Sequence, residues 1–179
     1  MSAPTPYKIE IPQSTINAIM ERVRAFEWPD APEGGGWAYG TELSTMKEIV
    51  EYWLHGYDWY REQDILNRLP HFKARVRDLD IHFIHLRSNA PKRRPLIITH
   101  GWPGSIIEFM NVIEPLAYPE KHAGSASDAF DVIVPAEEAD EPAQRCALFR
   151  RTDDGRAGLF ELYRAGRRLG IVGVRVARL

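Results

Sequence analysis

Apolar residues follow two different periods along the chain, and the change from one to the other divides the sequence. Ile16, Ile19, Met20, Val23 and Phe26 recur at helical spacing with Glu21, Arg22 and Arg24 between them, which predicts an amphipathic helix ended by Trp28-Pro29. Residues 28–40, WPDAPEGGGWAYG, combine prolines, three consecutive glycines and two tryptophans, and predict an irregular loop pinned by aromatic anchors. From Thr41 to Leu69 the positions Leu43, Met46, Val50 and Trp53, then Trp59, Ile65, Leu66 and Leu69, describe two helices. They break at Gly56, restart with Asp58 as N-cap and stop at Pro70.

Beyond Pro70 the period falls from 3.6 to 2. Residues 72–77 and 81–86 alternate around Asp78-Leu79-Asp80, the pattern of a β-hairpin. Pro95-Leu-Ile-Ile-Thr99 is a short apolar run that suits a strand buried on both faces. Ser105 and Glu108 form a capping box, S-I-I-E, so a helix is expected to start at Ser105, bury Ile106, Phe109, Met110 and Ile113, and weaken at Pro115. Phe130-Asp-Val-Ile-Val-Pro135 reads as a second buried strand, completing a βαβ unit with parallel strands.

After Pro135 the composition breaks. Residues 137–179 carry nine arginines and no lysine, tryptophan or methionine, whereas residues 1–136 carry nine arginines, five lysines, all five tryptophans and all four methionines. Around residues 169–176 there is a weak strand pattern with no clear partner. Overall, 44% hydrophobic and 27% charged residues with a net charge of -2 point to an ordinary globular protein, with no field that would steer it to nucleic acid or an anionic membrane. The start has no leader pattern and no apolar run approaches a membrane span, so a soluble cytoplasmic protein without membrane contact is expected.

The chemistry concentrates at His100-Gly-Trp-Pro-Gly-Ser105, at the carboxyl end of the first predicted parallel strand, where open α/β sheets place their ligands. Gly101 is expected to permit a sharp turn. Pro103 fixes φ and has no N–H, which leaves the Trp102 amide free to point into a cavity as an oxyanion donor. A plain strand-to-helix turn is the alternative reading of the tetrapeptide alone. His100 is expected to orient the loop by hydrogen bonding rather than to act as a base. No cofactor or metal is expected. His82 and His85, three apart on a strand, point to opposite faces. Cys146 has no thiol partner, Gly34-Gly-Gly36 lacks the strand and Lys-Ser/Thr of a phosphate loop, and Asp153-Asp154-Gly155 reads as a turn.

Several blocks taken together resemble the epoxide hydrolase family of the microsomal and juvenile-hormone type: Tyr52-Trp-Leu-His-Gly-Tyr-Asp-Trp59, Leu69-Pro-His-Phe72, Asp80-Ile-His-Phe-Ile-His85, His100-Gly-Trp-Pro-Gly-Ser105 and Phe130-Asp-Val-Ile-Val-Pro135. The resemblance covers residues 7–135. It implies an α/β fold: an incomplete α/β-hydrolase with a helical N-terminal extension (1–70), a core opening with the β-hairpin and one βαβ unit (71–135), and an atypical tail (136–179). It also implies a reaction. In that family an aspartate opens a small-molecule epoxide to an alkyl-enzyme ester, a His-carboxylate pair activates water to hydrolyse the ester, and the oxyanion hole, with the Trp102 amide as one donor, serves that second step.

This sequence departs from the family after Pro135. The family continues Ser-Leu-Pro-Gly-Tyr-Gly-Phe-Ser and later has Gly-Gly-Asp-Trp-Gly around the nucleophile, whereas Ala136-Glu-Glu-Ala-Asp-Glu-Pro142 and the residues after it match neither. No nucleophile, acid or base is therefore assigned, and a truncated, inactive product with a tail read out of frame from a GC-rich gene is expected. A non-enzymatic binding or assembly module, self-associating through an exposed sheet edge, is the alternative. A haloalkane dehalogenase uses a similar nucleophile, but the long region before the hairpin favours the epoxide hydrolases.

Overall fold

A computed structural model of the chain describes residues 3–32, 34–76, 79–101, 104–136 and 175–178. It divides into two compact units, Ile9–Ile65 and Met1–Lys8 with Leu66–Leu179.

The first unit is helical. Helix α1, Gln13–Arg24, starts after Pro12, whose extended φ and ψ suit an N-cap position, and ends with Arg22 and Arg24 in its last turn, where cations favour the helix dipole. Its half-buried stripe is Ile16, Met20 and Val23, whereas Ile19 and Phe26, expected on the same stripe, are 37% and 58% exposed. The helix stops short of Trp28-Pro29, because the amides of Ala25 and Phe26 already turn back to the carbonyls of Glu21 and Val23. The glycine-rich loop contains a single 3-10 turn, Gly36–Tyr39, with Gly34 and Gly36 at φ of 69° and 47°, a region that side chains with a Cβ rarely adopt. The aromatic anchoring expected of this loop is not realised by Trp37 and Tyr39, which are 63% and 78% exposed.

Helix α2, Leu43–His55, ends at Gly56, whose amide donates to the Tyr52 carbonyl. Helix α3, Trp59–Leu66, begins as the sequence indicates: Asp58 Oδ1 accepts from the amides of Tyr60 and Arg61 at 3.0 and 3.2 Å. The Gln63 side-chain carbonyl accepts from the Ile11 amide at 2.8 Å, which ties the segment before α1 to α3.

The second unit is a six-stranded sheet of β1 Thr5–Tyr7, β2 His71–Val76, β3 Leu79–Leu86, β4 Arg94–Thr99, β5 Phe130–Pro135 and β6 Arg175–Arg178. The spatial order is β1-β2-β3-β5-β4-β6. The hairpin β2–β3 is antiparallel with Phe72 opposite Phe83, and β3 runs antiparallel to β5. Strands β4 and β5 pair in parallel, as the βαβ reading requires. The side of β4 away from β5 is paired as well: Leu96–Thr99 faces Arg175–Arg178 of β6, also in parallel.

Alternation along the strands feeds two cores. Ile84, Leu96, Ile98, Val132 and Val134 form one face with Ile106, Phe109, Ile113 and Ala117. Ala74, Phe83, Ile97 and Ile133 form the other. The helix expected from Ser105 is not continuous. It is a 3-10 turn, Ile106–Phe109, followed by helix α4, Ile113–Ala117. Pro115 is the reason. Inside a continuous helix its ring would strike the carbonyl of Asn111 and its missing N–H would break the ladder, whereas as third residue of a new helix it loses nothing. Proline here sets where the second helix begins rather than where the first weakens.

Candidate active site

Strand β4 ends at Thr99, and the chain passes through His100 and Gly101 into a tight turn closed by the Gly104 amide, which donates to the Gly101 carbonyl at 2.6 Å. Trp102 and Pro103 lie outside the described residues, as do Cys146, Asp153 and Asp154. Of the two flanking glycines the requirement falls on Gly104, not Gly101. A Cβ on Gly101 would meet nothing within 4 Å, while one on Gly104 would overlap the Glu108 carboxylate and come within 2.8 Å of the Gly101 carbonyl oxygen. Ser105 is extended, and its hydroxyl accepts from the Ile107 amide at 3.3 Å, so the serine of the expected capping box caps the 3-10 turn one residue early.

His100 is buried, 7% exposed, and its Nδ1 has no hydrogen-bond partner among the described residues. Among the described residues, three clefts of about 500, 810 and 550 Å³ are lined by residues other than those of this turn. All three lie in the helical unit, and the largest is bounded by residues such as Ile16, Ile19, Tyr52 and Trp53.

The other candidates separate as the strand period dictates. His82 bonds His71 on one face of the hairpin, while His85 lies on the other, edge-on to Phe72. Among the described residues no group of three His, Cys, Asp or Glu side chains could hold a metal ion. Burial pushes the His85 pKa down to about 4, with Arg87 adding to the effect, Asp131 opposing it and Arg93 adding again.

Two polar residues escape the sequence reading. His71 is buried between His82 and the Leu66 carbonyl. Asp131, buried within β5, accepts from the Ser88 amide and from Arg93 Nε, each at 2.9 Å, and so fixes the connection into β4. A signal for the second was present: a lone carboxylate in an apolar strand needs a partner, and Arg93 stands directly before β4.

Known proteins extend this geometry. A family model described as "Epoxide hydrolase N terminus" matches residues 4–109. A Stigmatella aurantiaca relative is 42% identical over 132 residues, which are 74% of this chain and 30% of its own length. Epoxide hydrolase 1 of Sus scrofa is 35% identical over 135 residues, 73% of this chain and 30% of its own length. Among solved structures, the juvenile hormone epoxide hydrolase of the silkworm Bombyx mori superposes with a TM-score of 0.74 at 25% identity, covering 99% of this chain and 47% of its own. The chain thus spans about 30% of the length of the curated relatives it matches, and its helices and mixed sheet form part of an α/β-hydrolase fold.

Proposed function

The chain belongs to the epoxide hydrolase family through the N-terminal region of its members, and on that premise we propose that it carries the oxyanion-hole segment of an enzyme that hydrolyses small-molecule epoxides to vicinal diols. One observation carries the reading furthest: the turn closed by Gly104 and Gly101 stands at the carboxyl end of β4, a buried strand in a parallel pair, where an α/β sheet places reacting groups. Trp102 is the residue whose amide is proposed to donate there, to the oxygen that becomes negative when water attacks the alkyl-enzyme ester. His100, Gly101 and Pro103 shape the turn around it.

Turnover also needs an aspartate nucleophile and a His-carboxylate pair. Nothing in residues 136–179 resembles the family's segments for these groups, and the arginine-rich, lysine-free composition supports a tail read out of frame. The 179-residue chain is accordingly proposed to be inactive by itself. Two measurements test this. The purified chain should convert a simple aryl epoxide to its diol no faster than a heat-killed control; clear conversion would overturn the inactivity. Sequencing the gene beyond the codon for Pro135 should reveal a Gly-Gly-Asp-Trp-Gly block and a late histidine in another frame, and their absence would remove the enzyme reading for this product.

A second reading, an assembly module that binds a separately made partner, is favoured by exposed Ile49, Tyr52 and Trp53 along the 810 Å³ cleft of the helical unit. Monomeric light scattering at high concentration with a cooperative melt would dismiss it. No helix among the described residues is long and apolar enough to cross a membrane, and a cytoplasmic location is part of the proposal.

A further inference from the structure

The three outer strands hold a pair of histidines that hydrolysis does not use. His71, on β2, is 4% exposed; its Nε2 lies 2.8 Å from the Leu66 carbonyl oxygen and its Nδ1 lies 2.8 Å from Nε2 of His82 on β3. A carbonyl only accepts, so His71 carries its proton on Nε2. In the neutral ring that makes Nδ1 an acceptor, and His82 Nε2–H must be the donor. The two rings stack at 5.0 Å, and the Tyr7 ring of β1 meets His82 edge-on at 4.9 Å. Lys73, opposite His82 in the strand register, sets its ammonium 4.3 Å from the Tyr7 ring centroid. Strand β1 is three residues long and, among the described residues, pairs with β2 alone, so these contacts to Tyr7 add to what holds it.

The geometry limits how many protons the pair can take. One extra proton can reside on His82, which goes on donating through Nε2–H in a charge-assisted bond. A second must go to Nδ1 of His71, where it sets two N–H donors face to face and breaks the bond. Lys73, across from His82, opposes that second charge; Tyr7 meets His82 edge-on from β1, and two register pairs along Asp80 is already engaged by Arg75 at 3.2 Å. On the β5 side Ala136 donates its amide to the His82 carbonyl. Burial also pushes the His71 pKa below the ordinary imidazole value, with the bond to Leu66 acting the other way.

We propose that the His71–His82 pair is an acid-operated latch on the N-terminal strand: it holds β1 while it carries no more than one extra proton, and the second proton releases β1.

Amide hydrogen exchange on the 179-residue chain, corrected for intrinsic exchange chemistry and followed from pH 7.5 to 5, tests the latch. Protection of the Thr5 and Tyr7 amides should fall about tenfold with a two-proton dependence, as the hydrogen bond and the contacts above it are lost together. His82→Gln keeps an N–H donor without titrating and should reduce this to a one-proton dependence, and His71→Asn with His82→Gln should abolish it. Protection that does not change with pH in the wild type, or an unaltered profile in the double variant, would overturn the proposal. Should the double variant not fold, ring 15N shifts of the wild type decide. Nε2–H on His71 at neutral pH, with β1 resonances changing at the second protonation, is the expected result; Nδ1–H on His71, or β1 changes complete at the first, is the contrary one.

Discussion

The Asp131 carboxylate acts on the His85 ring, and burial does different things to the two. His85 is 4% exposed, and its Nε2 has no partner among the described residues. With a folded pKa of about 4 against about 6.5 unfolded, the neutral ring is the native form, and between those values the unfolded chain binds the proton more readily. Its contribution is therefore whole above about pH 6.5 and is lost as pH falls toward 4, on the order of 3 kcal/mol at 1.36 kcal/mol per unit. Urea midpoints at pH 7 and pH 4.5 should show wild type losing far more stability than His85→Leu; equal losses would refute the assignment. Asp131 holds a backbone amide and a guanidinium in a 12% exposed position. Asp131→Ala strands the Ser88 amide and should lower stability at pH 7 by about 1.5–3 kcal/mol, read from the same midpoints. No change would mean that water replaces the carboxylate.

Among the elements, those with an unbroken period were legible and those set by a single residue were not. The hairpin, β4 and β5 follow from alternation or from an apolar run too short for a helix, and Asp58 and Gly56 mark the junction of α2 and α3 by chemistry alone. The stretch after Ser105 misleads because Ile106, Phe109, Met110 and Ile113 fit one helix, and only the steric demand of Pro115 divides it. Strand β1 is invisible from propensity: Thr5-Pro6-Tyr7 is short and contains a residue with no N–H, tolerable because β1 is the outermost strand. At the turn, pattern reading assigned the special glycine to Gly101, whereas the need at Gly104 comes from Glu108 and the Gly101 carbonyl meeting in space. Helix α4 still carries real weight for the sheet, because Ile113 and Ala117 are fully buried one turn apart. Ile113→Ala should lower stability by about 2–5 kcal/mol, the range for emptying a packed site. A loss below about 1 kcal/mol in denaturant unfolding would show that the core collapses into the space.

For the whole molecule the decisive strand is β6. The sequence places an arginine-rich segment after the family resemblance ends, and from resemblance alone it has no role; yet Arg175–Arg178 pairs with Leu96–Thr99 and occupies the outer edge of β4. That edge matters more than its length suggests. Strand β4 is buried on both faces, so its side chains carry no charge or proline toward an incoming strand over Leu96–Thr99, and an uncovered edge of this kind pairs with other chains. The tail and the sheet then oppose each other in assembly: while β6 is seated, no second copy can add to β4. A chain ending at Ala136 should self-associate, with its mean mass in light scattering rising with concentration under conditions where the 179-residue chain stays constant. Introducing a charge at the edge by Ile98→Lys would not separate the effects, since Ile98 is in the core. The cleaner comparison adds back a synthetic peptide of residues 171–179, which should return the shortened chain toward the monomer. If the shortened chain is monomeric at every concentration, β6 does not protect the sheet, and the apolar cleft of the helical unit becomes the surface to examine for assembly.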